Sequence, residues 1–132
     1  MEYQELTKEV IGCAFKVFNR MGFGFLESVY EKCMLIELAK RGLKFESQKK
    51  IQVFYDDELV GDFIADIIVE EILILELKSM RKIHKAHEVQ LVNYLVATRK
   101  PVGLLLNFAE KEVQVKRKIR QLQPDLINKS NE

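Results

Sequence analysis

Phe63-Ile64-Ala65-Asp66-Ile67-Ile68-Val69-Glu70-Glu71-Ile72-Leu73-Ile74-Leu75-Glu76-Leu77-Lys78 carries the pattern of a strand, a turn and a second, more deeply buried strand. Its first half is rich in β-branched and aromatic residues, as strands are, and Glu70-Glu71 supplies a turn. The second half is a nearly continuous apolar run from Ile72 to Leu77, which marks a strand covered on both faces and therefore central in its sheet. His84 to Arg99 then reads as a helix with Val89, Val92, Leu95 and Val96 facing inward, and Pro101 prevents its continuation. Val102-Gly103-Leu104-Leu105-Leu106-Asn107-Phe108 follows as a further buried strand. A strand, helix, strand succession implies a parallel pair joined by a right-handed crossover, whereas the Glu70-Glu71 turn implies an antiparallel one. The sheet is therefore expected to be mixed.

Working outward, Ile51-Gln52-Val53-Phe54-Tyr55, Asp56-Asp57-Glu58 and Leu59 to Val69 carry a hairpin signature. Upstream, Leu6, Val10, Cys13, Ala14, Val17, Phe18 and Met21 recur at three- and four-residue steps as the apolar stripe of a helix. Met21-Gly22-Phe23-Gly24 ends it in a tight loop. A second helix starts near Phe25, with Leu26, Val29, Tyr30, Cys33, Ile36 and Leu38 on its apolar side, and ends at Lys40-Arg41-Gly42. Downstream, Glu112 to Ile119 alternates apolar and basic residues as an edge strand does, and the chain is polar from Pro124. The expected architecture is α/β in the order ααβββαββ, with residues 1–120 as a single domain and 121–132 as a polar C-terminal tail.

Composition narrows the function classes. With 132 residues, 48% hydrophobic and 31% charged, the chain has the make-up of one domain with a conventional core, and global disorder is excluded. Lys and Arg total 21 against 20 for Asp and Glu, a formal charge of +1, so contact with nucleic acid has to come from a local patch. Cys13 and Cys33 lie in helix-like patterns with no CxxC pair, which argues against disulfide and zinc and for a reduced, cytoplasmic setting. Glu2, Glu5 and Glu9 after Met1 do not read as a signal peptide. No apolar stretch approaches the ~20 residues of a membrane span.

Three charged residues stand where burial should exclude them: Asp66 inside one strand, Glu76 and Lys78 at the end of the next. Burying unpaired charge costs several kcal/mol by order of magnitude, so these residues need partners or a metal. In a strand, side chains at i and i+2 share a face, so Glu76 and Lys78 point the same way. Pairing through Glu70-Glu71 with positions summing to 141 would set Asp66 opposite Leu75 and beside Glu76, a register that a bulge would shift by one. Two carboxylates and the Leu77 carbonyl then converge, an oxygen-rich set of the kind Mg²⁺ or Mn²⁺ prefers. Lys78 stands beside it as a cation able to orient or deprotonate an attacking water. Read alone, the trio is equally compatible with a structural ion pair at a sheet end.

Asp66, nine intervening residues and Glu76-Leu77-Lys78 resemble the D…ExK signature of the PD-(D/E)XK nuclease superfamily. Gly24-Phe25-Leu26-Glu27-Ser28-Val29-Tyr30 is similar to the motif of the GxxExxY family within it. The likeness runs on through Gln48, Ala65-Asp66, Gln90-Leu91-Val92-Asn93-Tyr94-Leu95 and Gly103 to Phe108, with Ala65 standing where the PD pair has proline. The resemblance implies a restriction-endonuclease-like three-layer core, a mixed sheet flanked by helices. It implies Asp66 and Glu76 as metal ligands, Lys78 as the water-positioning residue, and Glu27 as an acidic residue reaching the metal directly or through water. It also implies Gln90 as a residue arranging the site, with Tyr94 one turn on along the same helix face. Tyr30 is a further auxiliary candidate.

Each of these has a plainer reading: Glu27 as a first-turn acid, Tyr30 as core, Gly22 and Gly24 as a helix-ending turn, Asn107 as a strand end. His84 and His87 have helical spacing for a metal but no third nitrogen or sulfur ligand, so a structural role is favoured. Arg81, Lys82 and Lys85 follow the candidate site and are placed to meet a phosphate backbone; Lys116-Arg117-Lys118 with Arg120, and Lys49-Lys50, are further basic groups. The reading is a Mg²⁺- or Mn²⁺-dependent nuclease acting on DNA in preference to RNA. The alternative is a binding module for nucleic acid or protein that keeps the fold without turnover, and a homodimer completing the basic surface is a third arrangement.

Overall fold

The computed structural model describes residues 3–120. Helices α1 (Gln4–Met21) and α2 (Glu27–Lys40) come first, followed by strands β1 (Phe45–Tyr55), β2 (Glu58–Val69) and β3 (Leu73–Lys78). Helix α3 (Lys85–Thr98) and strands β4 (Val102–Phe108) and β5 (Val113–Ile119) complete the described residues. The tail expected over 121–132 lies outside the described residues. The strands form one sheet in the order β1-β2-β3-β4-β5, with β3 and β4 parallel and the other neighbours antiparallel. The apolar run is thus the central strand, and the basic alternating segment is an edge, as expected.

Strand pleating distributes the core onto two faces. Leu73, Leu75 and Leu77 of β3 and Leu104, Leu106 and Phe108 of β4 pack with Val10, Cys13, Val17, Tyr30 and Met34 of α1 and α2. Ile74 of β3 and Leu105 of β4 pack on the other face with Leu91 and Leu95 of α3. The result is helix, sheet, helix, the three-layer arrangement implied by the resemblance. Both cysteines are free thiols. No described helix is long and apolar enough to cross a membrane.

Several details depart from the periodicity reading. In α2 the buried residues are Tyr30, Met34, Glu37 and Leu38, while Leu26 and Ile36 are exposed. Glu37 is tolerated inside because Lys16 and Lys40 reach its two carboxylate oxygens at 3.2 and 3.3 Å. In α3 Leu91 and Leu95 are buried, and Val89 and Val96 are exposed. Both helices carry apolar residues around much of their circumference, so periodicity alone does not choose the inward face. Strand β1 begins at Phe45, not Ile51, because pairing with β2 extends through Phe45↔Val69 and carries polar residues into the strand. At its start, the Glu70 carboxylate accepts the Lys44 backbone N–H at 2.6 Å.

Gly103 sets the distance between α3 and the sheet. A Cβ there would lie 2.8 Å from Leu91 Cδ1, and Leu91 is itself buried with little room to move. Gly103→Ala is expected to lower the stability by about 1–3 kcal/mol through overpacking, read as a reduced urea midpoint at unchanged m value.

Candidate active site

Asp66 sits where the regularity of β2 breaks. Phe63 and Ala65 contribute to the core under α3, whereas Ile67 and Val69 contribute to the core under α1 and α2, although strict alternation would put all four on one face. The face changes between Ala65 and Ile67, at Asp66. On the β3 side, β2 pairs in the register Ile67↔Leu75, one residue away from the expected offset, and the ladder stops there. Continued past its end, this register sets Asp66 opposite Glu76 and not Leu75. The cause is the turn, which takes three residues, Glu70, Glu71 and Ile72, with left-handed backbone angles at Glu70 and Glu71 (φ 53 and 61), and so places Val69 opposite Leu73 and not Ile72. Freed from ladder pairing, Asp66 Oδ2 accepts the Leu77 backbone N–H at 2.8 Å.

Glu76 faces Asp66 from the end of β3. Its carboxyl is pushed up to about 8, first by burial, then by the charge of Asp66 and by a shared hydrogen bond with that carboxyl; Lys78 and the Asp66 backbone N–H act in the opposite direction. Glu76 Oε1 is buried with no hydrogen-bond partner. A buried carboxylate oxygen without a donor is costly, and a cation is the simplest group to satisfy it. Lys78, two residues on, shares the face of Glu76 and is partly buried. It pairs across the sheet with Asn107.

Three polar side chains hold the end of β3 and the loop beside it in place. Asn107, fully buried, accepts the Met80 backbone N–H at 2.9 Å and donates to the Met80 carbonyl at 2.8 Å. It therefore does more than end its strand. Ser79 Oγ donates to the Phe25 carbonyl at 2.7 Å, joining β3 to the loop before α2. The Tyr30 hydroxyl donates to the Gly22 carbonyl and accepts the Phe25 N–H. The Tyr30 ring is fully buried and stacked on Phe108 with centroids 4.3 Å apart, so Tyr30 is a core residue that pins this loop. Gly22 and Gly24, at φ 71 and 115, supply angles that the loop requires and other residues resist.

Around the carboxylates, α3 contributes Tyr94, whose ring stacks on Phe63 with centroids 3.5 Å apart. Burial and the charge of Glu76 raise the Tyr94 phenol, and Gln90, hydrogen-bonded to it, opposes the shift. Gln90 is thus linked to the carboxylates through Tyr94. Glu27 is exposed on the first turn of α2, and its charge, like that of Lys78, acts on His87. The α2 acid coupled to Asp66 is Glu31, one turn on: burial and the Asp66 charge raise its carboxyl, and Gln48 donates to it at 2.7 Å. Glu31 was not among the residues singled out from sequence. Its i,i+4 spacing from Glu27 on the same helix is the signal that points to it.

His87 Nδ1 accepts the His84 backbone N–H at 3.4 Å, which gives the pair a role in starting α3. Arg81 meets Glu110 at 3.7 Å, and Lys82 and Lys85 are exposed near the end of β3. Lys49 and Lys50 lie on β1 and Lys116 to Lys118 on β5, at opposite edges of the sheet, so they do not form one stripe. Lys49, Lys50 and Lys118 are paired with Glu46, Asp62 and Glu88.

A mixed sheet between two helical layers, with an acid at a broken strand and an ExK sequence ending the central strand, defines a restriction-endonuclease-like domain. The family model described as the PD-(D/E)XK nuclease superfamily matches residues 4–120, and the chain belongs to that superfamily. A solved chain described as "Crystal structure of SSO0001" superposes with a TM-score of 0.56 at 14% identity, over 98% of this chain and 66% of that one. That likeness is one of fold. No curated protein matches. Nucleases of the superfamily generally use divalent metals.

Among the described residues no three His, Cys, Asp or Glu side chains converge to enclose a metal by themselves. Asp66 and Glu76 nevertheless fit a hard divalent cation: all-oxygen donors, mutual repulsion that a cation relieves, and an orphaned oxygen at Glu76. One or two carboxylates completed by water and substrate phosphate is the usual provision for Mg²⁺.

Because the Glu76 carboxyl is raised in the folded state from an ordinary value of 4.5, the fold holds a proton there that the unfolded chain has released. Stability of the metal-free protein should therefore fall as pH rises from about 4.5 to about 8, by at most about 1.4 kcal/mol per pH unit for one proton. Glu76→Gln should flatten that slope in urea titrations across the window.

Proposed function

We propose that the chain is a Mg²⁺- or Mn²⁺-dependent nuclease that hydrolyses phosphodiester bonds, with DNA as the favoured substrate over RNA. Superfamily membership implies a nucleic-acid substrate. The observation that carries the metal dependence is the Asp66–Glu76 pair, with its unsatisfied buried oxygen, set beside Lys78 at the C-terminal end of the central strand.

A divalent cation held by Asp66 and Glu76, with the Leu77 carbonyl as a further ligand, would supply charge stabilisation at the scissile phosphate and acidify water there. Asp66 is oriented for this by the Leu77 N–H, which ties one of its oxygens down and fixes the carboxyl plane. Lys78 orients the attacking water and offsets negative charge on the phosphate. Tyr94, held by Gln90, borders the carboxylates from the α3 side, and Glu27, on the first turn of α2, is the further acid that would reach the metal directly or through water. Arg81, Lys82 and Lys85, on the loop and helix start after β3, are positioned to meet backbone phosphates flanking the cut.

The test pairs calorimetry of Mg²⁺ and Mn²⁺ with cleavage of duplex and single-stranded DNA and of RNA. Asp66→Asn, Glu76→Gln and Lys78→Ala should each lower cleavage by about 10²-fold or more while the circular dichroism spectrum is kept. Above about pH 8, where both carboxyls are ionised, Asp66→Asn and Glu76→Gln should also raise the thermal midpoint of the metal-free protein, since each then removes carboxylate repulsion. Wild-type levels of cleavage in any of the three would refute the assignment. Nucleic-acid binding without cleavage by the wild-type chain would select the binding-module reading.

A further inference from the structure

Gln48 has a left-handed backbone, φ 54, in the middle of β1, where a non-glycine residue is strained. The β1–β2 ladder runs Ser47↔Ile67 and then Lys49↔Ala65, so the position it skips is Gln48 opposite Asp66. The register is the same on both sides of the gap. No residue has been inserted; the two strands are parted at one pair, and β2 changes face there. The strain at Gln48 and the release of Asp66 are thus two sides of one local distortion.

The Gln48 side chain contributes separately. Nε2 donates to Glu31 Oε1 at 2.7 Å, bridging the edge strand to α2. Glu31 lies within the electrostatic reach of Asp66. A neutral amide suits this position, because it orients the carboxylate without cancelling its charge. A lysine there would pair with Glu31 and remove the negative potential beside Asp66.

We propose that Gln48 is a positioning residue of the Asp66–Glu76 centre: its left-handed backbone frees Asp66 from the ladder, and its amide holds the Glu31 carboxylate in front of it. Glu31, and not Glu27, is then the α2 acid that works with Asp66. The assignment rests on the metal-dependent reading above.

Mn²⁺ binding to the full chain, measured by calorimetry, tests it. Gln48→Gly retains the left-handed backbone at ease and removes only the amide. It should weaken Mn²⁺ binding about tenfold with the circular dichroism spectrum unchanged, as should Glu31→Gln. The Gln48→Gly/Glu31→Gln double variant should be no weaker than either single one, because both break the same contact. Gln48→Val, which resists the left-handed backbone, should lose more than Gln48→Gly. A Gln48→Gly protein that binds Mn²⁺ like wild type, or losses that add in the double variant, would overturn the proposal. Asp66→Asn separates the two levels. If it loses binding while Gln48→Gly does not, only the role of Gln48 falls; if it binds like wild type, or wild type itself does not bind, the metal centre falls and this role with it.

Discussion

Two carboxyl groups, Asp66 and Glu76, are pressed together at the end of a buried strand, and much of the structure is arranged to make that tolerable. Burial and the neighbouring negative charge both favour the protonated form of Glu76, and one Glu76 oxygen is left without a donor. Such a pair adds nothing to the stability of the domain by itself. It persists because the central strand is anchored on both faces by apolar side chains, from Leu73 through Leu77, that outweigh its cost. A cation would satisfy the same oxygen atoms that repulsion and burial leave unfavourably placed.

The geometry of that pair depends on how the neighbouring strands end. Asp66 reaches Leu77 only because the ladder on each side of β2 lets go at this residue, at Gln48 on one side and beyond Ile67 on the other. The end of β3 is held from three directions: Asn107 on the Met80 backbone, Ser79 on the Phe25 carbonyl and Tyr30 on the loop between the first two helices. These polar contacts are short, and they bring α2 to the same sheet end as α3. A rigid strand terminus flanked by two helices is a suitable frame for a centre whose groups have to be placed to within a fraction of an ångström.

The order and type of the elements were legible in the sequence because long apolar runs and helical stripes report burial directly. The run from Ile72 to Leu77 is central, and the alternating Glu112 to Ile119 segment is an edge. The trio Asp66, Glu76 and Lys78 was legible for the opposite reason, as charge placed where burial should exclude it. The inward faces of α2 and α3 were not, since Ile36, Val89 and Val96 are as apolar as the residues that are buried. Nor was Glu31, which on the sequence is one acid among several on a helix and acquires meaning only through Gln48 and Asp66.

By itself the sequence determined a mixed α/β sheet with a covered central strand, and a D…ExK constellation at its end, because hydrophobic periodicity and misplaced charge are properties of neighbouring positions along the chain. Tertiary structure alone decided the one-residue register that sets Asp66 opposite Glu76, the change of face within β2, and the Gln48 contact that ties Glu31 of α2 to the strand next to Asp66. Those outcomes turn on the left-handed angles at Gln48, Glu70 and Glu71 and on contacts between strands and helices remote in sequence. A one-residue shift reverses which face every side chain of a strand presents, so no local pattern can settle it without the pairing partner in place.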